Sequence, residues 1–154
     1  MTSRSEIGPA MGFTLIEMIV VIALLGLMMV LVTVNGTPVS PAAHARAAAE
    51  AISGALRTAR SEAVTGDRSV DVTIDISQRS YRWGTAPAEI LPNDLSLALL
   101  TSRDELISDA VGHIRFNPDG SSSGGRVTVA GGNRIWWVGI DWLSGRVSIV
   151  EKPR

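Results

Sequence analysis

The chain has 154 residues, enough for one compact domain with an appended segment. Its 14 basic and 15 acidic side chains leave a formal net charge of −1, so there is no bulk electrostatic attraction to nucleic acid or acidic substrates. The absence of cysteine excludes disulfides, thiolate nucleophiles and sulfur-rich zinc sites.

Hydrophobic residues make up 45% of the sequence, and their excess lies in residues 13–34, a run with one charge, Glu17, and no proline. As a helix that run would rise roughly 33 Å at about 1.5 Å per residue, against a hydrocarbon core of about 30 Å. Three readings compete for it. A secretory signal peptide has a shorter apolar core and an Ala-x-Ala-like site, whereas Asn35-Gly36-Thr37-Pro38 follows here. A plain membrane anchor explains the length but not Glu17, since a charge at mid-membrane costs about 2.5–3.5 kcal/mol on insertion scales. The third reading is a helix whose carboxylate is used in assembly.

The stretch Gly12-Phe13-Thr14-Leu15-Ile16-Glu17 resembles the processing motif of type IV prepilins and type II secretion pseudopilins. The resemblance implies that a prepilin peptidase cuts after Gly12 and that the new N-terminal Phe13 is methylated. It also implies that Glu17 is the assembly carboxylate, pairing with the N-terminal amine of a neighbouring subunit. Residues 1–12 would then be the leader, although Arg4 is offset by Glu6 and the leader is only weakly basic. Residues 13–34 would be the transmembrane and assembly helix, in a single pass of the bacterial inner membrane with the head in the periplasm. A proline found within this helix in many relatives is missing, so a break is expected at Asn35-Gly36-Thr37-Pro38 instead.

Ser40-Pro41 reads as a helix cap followed by proline at the first helical position. The alanine-rich segment to about Val64 places Ala45, Ala48, Ala49, Ile52, Leu56, Ala59 and Ala63 on one face, with Arg46, Glu50, Arg57 and Glu62 largely off it. Residues 35–64 are therefore expected to form an amphipathic continuation of the first helix, ended by Thr65-Gly66-Asp67. Beyond Gly66 the period changes to two: Val70, Val72, Ile74 and Ile76 describe a half-buried strand, with Tyr81-Arg82-Trp83 as its returning partner. Residues 85–112 are less regular, with Leu95, Leu97, Leu99 and Leu100 as a short strand. Further strands are expected at 113–117, 126–129, 134–142 and 146–150, each separated from the next by turn residues such as Pro118-Asp119-Gly120 and Gly131-Gly132-Asn133. The fold class is α+β: a long N-terminal helix carrying an antiparallel β-sheet or β-sandwich head over residues 65–154.

Three further stretches resemble the H-type minor pseudopilins of type II secretion: Ala59-Arg60-Ser61-Glu62-Ala63-Val64, the run from Phe116-Asn117-Pro118-Asp119-Gly120 to Arg126-Val127, and Asp141-Trp142-Leu143-Ser144-Gly145-Arg146-Val147. The resemblance spans Gly12 to Val147 and weakens between Thr85 and Gly112. It implies a minor pseudopilin near the tip of the secretion pseudopilus, helping folded proteins across the outer membrane. Its partners would be the other minor and major pseudopilins. The same stretches overlap with FimT-like minor pilins, whose heads take up DNA. Without Arg4 and Glu6 the chain holds 13 basic and 14 acidic side chains, and Arg146, Lys152 and Arg154 make a weak cluster, so no nucleic acid is expected.

No catalytic constellation is visible, so the sequence points to neither an enzyme nor a cofactor. Asp119 in Pro-Asp-Gly reads as a turn residue before it reads as a calcium ligand, and no metal site is expected. Ser121-Ser122-Ser123-Gly124-Gly125 lacks the Gly-Lys-Ser/Thr of a phosphate loop and reads as a hairpin connection. His44 and His113 have no partner at ligand spacing. Trp136 and Trp137 point to opposite faces of one strand, so one belongs to the core and the other faces outward.

Overall fold

The computed structural model describes residues 13–34 and 40–153, with side chains for 13–31 and 40–153. The leader with Gly12, and the break expected at 35–38, lie outside the described residues. The chain divides into two units, Met1–Pro38 and Val39–Arg154.

Helix α1 of the first unit spans Leu15–Val34. Glu17 stands in its first turn. Among the described residues no helix is long and apolar enough to cross a membrane.

In the second unit, helix α2 runs Pro41–Thr65. Its start has the expected chemistry: the Ser40 hydroxyl accepts from the Ala43 N–H at 3.3 Å, and Pro41 occupies the first turn, where a missing N–H costs nothing. At its end the Gly66 N–H donates to the Glu62 carbonyl at 2.8 Å. All seven residues of the expected apolar face are buried, joined by Ser53 and Ala55.

Eight strands follow: β1 Val70–Asp75, β2 Ser80–Trp83, β3 Glu89–Ile90, β4 Ser96–Leu100, β5 Val111–Phe116, β6 Gly125–Gly131, β7 Arg134–Ile140 and β8 Val147–Pro153. They form two four-stranded antiparallel sheets, ordered β3-β2-β1-β5 and β4-β6-β7-β8. Helix α2 packs against both. Ile52 and Leu56 share one core with Val72, Ile74, Ile114 and Phe116 of the first sheet and Val127, Val129, Val138 and Trp136 of the second. Its alanines permit this closeness, and so does Gly131, where an added Cβ would lie 2.2 Å from the Pro41 carbonyl oxygen. The edges of the two sheets meet where the Thr101 hydroxyl donates to the His113 carbonyl at 3.0 Å.

One connection differs from its sequence reading. The turn at 117–120 forms, with the Gly120 N–H on the Asn117 carbonyl at 2.9 Å and a bridge between Phe116 and Ser122. It does not join β5 to β6 as a hairpin, because β5 pairs with β1 and β6 pairs with β4 and β7. Gly124 and Gly125, at φ 73° and 142°, swing the chain from one sheet to the other. A Cβ on Gly125 would come 2.7 Å from the Leu100 carbonyl oxygen, so the crossing depends on glycine there.

The tryptophan pair divides as its parity requires. Trp136 is buried among α2 and the second sheet. Trp137 is half-buried on the opposite face, with Arg126 at 4.4 Å and Lys152 at 3.8 Å over its ring. Trp136→Ala is expected to lower unfolding free energy by about 3–5 kcal/mol in chemical denaturation, and Trp137→Ala by far less. Equal losses would show that the outer face of β7 is covered.

Candidate assembly surfaces

Thr14, within the stretch from Gly12 to Glu17, stands one residue before α1. Thr14 caps the helix: its hydroxyl accepts from the Glu17 N–H at 3.3 Å and its carbonyl accepts from the Glu17 and Met18 N–H groups. Thr14-x-x-Glu17 therefore has the spacing of a capping box, and the helix N-terminus favours a carboxylate at that position. Among the described residues Glu17 takes part in no ion pair. Phe13 is 77% exposed, and the large apolar side chains of α1 are exposed along its described length. The unit thus presents an apolar rod with one carboxylate near its first residue. The other half of the expected cleavage junction, Gly12, lies outside the described residues.

In the head, the apolar face of α2 is consumed by its own core, while Arg46, Glu50, Arg57 and Arg60 face the exterior together with Val64. The three stretches that carry the H-type resemblance, far apart in sequence, converge at the pole formed by the C-terminal part of α2. There Arg60 Nε donates to the Gly120 carbonyl at 3.1 Å, tying α2 to the 117–120 turn. Gly145 packs against the same carbonyl so closely that a Cβ would lie 2.2 Å from it. The Ser122 N–H donates to the Trp142 carbonyl at 2.9 Å. Sequence reasoning placed Arg60 within a family stretch but could not give it this partner, because the contact joins residues sixty positions apart.

The acids of these turns serve the turns themselves. Asp119 Oδ1 accepts from the Ser121 hydroxyl at 2.6 Å and N–H at 2.9 Å. Asp141 Oδ1 accepts from the Ser144 hydroxyl at 2.6 Å and N–H at 2.8 Å. These bonds hold both carboxyl groups below the ordinary aspartate range, with Arg146 adding a smaller push at Asp141. The histidines, unpartnered by sequence spacing, find neighbours in the fold: His44 Nδ1 lies 2.8 Å from Asp94 Oδ2 and His113 Nδ1 lies 3.1 Å from the Thr73 hydroxyl. Among the described residues no three His, Cys, Asp or Glu side chains gather as metal ligands.

An α+β head of this form is a pilin-type subunit head, and solved structures share it. The minor pseudopilin EpsH of the type II secretion system of Vibrio cholerae matches with TM-score 0.56 at 16% identity, over 70% of this chain and 96% of that one. The type IV minor pilin FimU of Pseudomonas aeruginosa matches with TM-score 0.52 at 18% identity, over 68% and 91%. The family described as type II transport protein GspH matches residues 48–144. The type II secretion system protein H of Xanthomonas campestris pv. campestris is 31% identical over 136 residues, covering 88% of this chain and 80% of that protein. The chain belongs to the GspH family, the H-type minor pseudopilins of type II secretion.

The lowered carboxyl groups set an acid response. A carboxylate that titrates lower in the folded than in the unfolded chain contributes stability above its unfolded pKa of about 3.9, and that contribution is lost as pH falls through the folded value. Asp119→Asn and Asp141→Asn together should therefore flatten the loss of stability below about pH 4. Thermal melts of the variant and the parent at pH 7 and pH 3 check this, and identical acid losses would refute it.

Proposed function

We propose that the protein is a minor subunit built through α1 into a type II secretion pseudopilus, close to its tip, where it aids the export of folded proteins across the outer membrane. The observation that carries this reading is the apolar rod of α1 with one unpaired carboxylate in its first turn. Membership of the GspH family supports it independently. The protein is held in the inner membrane in a single pass by the segment that begins at Phe13, with the head in the periplasm.

In this reading the prepilin peptidase cuts between Gly12 and Phe13 and Phe13 is then methylated. The new α-amine brings a positive charge to the apolar end of the rod. A neighbour's amine beside Glu17 converts the cost of an unpaired carboxylate in the membrane into a paired one, which favours assembly. A topmost subunit has no neighbour above it to supply an amine, so a chain with Glu17 belongs just below the extreme tip. The role is structural, with no chemistry of its own.

Mass spectrometry of the N-terminal peptide from membranes should find methylated Phe13, and a peptide beginning at Met1 would overturn the processing step. Glu17→Leu should leave cleavage and insertion intact, since removing a charge eases insertion. It should reduce co-purification with the partner pseudopilins and reduce secretion. Unchanged recovery with normal secretion would remove the pairing argument.

A further inference from the structure

The pole where the family stretches converge carries an unused cationic surface. Arg57, Arg60 and Arg146 line a cleft of about 380 Å³ with Ser144, Gly145 and Val147. A neighbouring cleft of about 320 Å³ lies between Arg57 and Arg60 and the residues Val64, Asp119 and Gly120. Arg60 is oriented by its bond to the Gly120 carbonyl. The Arg57 and Arg146 guanidinium groups are exposed and enter no ion pair among the described residues. Asp119, on the wall of the second cleft, and Asp141, whose carboxyl Arg146 helps to lower, both accept from serines of their own turns. Three guanidinium groups converging on one concavity repel one another, and an arriving anion relieves that repulsion.

The surroundings of the cleft indicate which anion. The 141–145 turn that forms one wall also exposes Trp142 at 66% and Leu143 at 67%, and Val64 on the wall of the second cleft is 48% exposed. Tryptophan and arginine together are the composition of protein–protein hot spots. A guanidinium fork also matches a carboxylate in two parallel bonds. A nucleic-acid backbone would need the positive charge to continue beyond the cleft. Instead, Arg46 is paired with Glu50, Arg115 with Asp71 and Arg134 with Glu151.

We propose that this pole docks an acidic side chain of a neighbouring filament subunit, with the carboxylate held among Arg57, Arg60 and Arg146 and flanking apolar groups packed on Trp142 and Leu143. The inference rests on the filament reading above and adds to it a contact made by the head. It differs from the pairing at Glu17 in location, in the sign of its charge and in being outside the apolar rod.

The test uses the full-length chain co-produced with the other pseudopilins of its system and recovered from membranes in detergent. Arg57→Glu combined with Arg146→Glu should lower partner recovery by more than about tenfold. Trp142→Ala should lower it severalfold, and Arg57→Lys with Arg146→Lys should retain part of it, since charge is kept without the fork. Processing to Phe13 and circular dichroism should not change, because neither guanidinium enters an ion pair among the described residues. Undiminished recovery of the Glu double variant overturns the docking site and leaves the filament reading standing. Failure of the parent chain to recover any pseudopilin overturns both. If the parent binds duplex DNA in a salt-sensitive way and the Glu double variant loses that binding while keeping its partners, the cleft is a phosphate site and the proposal is wrong.

Discussion

The head depends on how closely one helix approaches two sheets. Helix α2 meets β-strands from both sheets with a face made mostly of alanine, so the distance is set by methyl groups and by the sheet backbone. Larger side chains on that face would push the sheets apart and open voids around Ile52 and Leu56, which fill the centre. Gly131 belongs to the same constraint, because the second sheet comes nearest to α2 there and any Cβ would strike the Pro41 carbonyl. The apolar stripe of α2 is used inside the head.

At one pole the constraint becomes a junction. Arg60 reaches from α2 to the Gly120 carbonyl, and the 141–145 turn rests its Gly145 on the same atom. Two turns from different sheets are thus indexed to a single side chain of the helix. The aspartates that begin the local hydrogen-bond pattern, Asp119 and Asp141, do the same task in each turn by accepting from a serine two or three positions later. A pole held this way fixes the Arg60 side chain and the backbone that carries Trp142 and Arg146.

The two units divide the physical requirements of an assembly subunit. The head buries the facing sides of α2 and both sheets in its own core, whereas the described large apolar side chains of α1 are exposed and Glu17 enters no ion pair among the described residues. An element of that kind is stable only in another environment, such as a membrane or a bundle of like helices. The residues that match the GspH family, 48–144, lie within the second unit.

Local pattern determined much of this protein. The spacing of seven apolar residues gave the buried face of α2, Ser40-Pro41 gave its start, and the alternation of Val70, Val72 and Ile74 gave the first strand. Each is a consequence of neighbours in sequence lying on one face of a regular element, a relation that needs no tertiary information. The processing and assembly motif proposed at Gly12, Phe13 and Glu17 is also a pattern of adjacent residues. Only the tertiary structure decided that β5 pairs with β1 and β4 with β6, that Gly124 and Gly125 carry the chain from one sheet to the other, and that Trp136 is the core member of its pair. It also brought Arg60 to Gly120 and placed Arg57 beside Arg146. These are choices among partners far apart in the chain, and packing against the whole core selects among them where no local periodicity can.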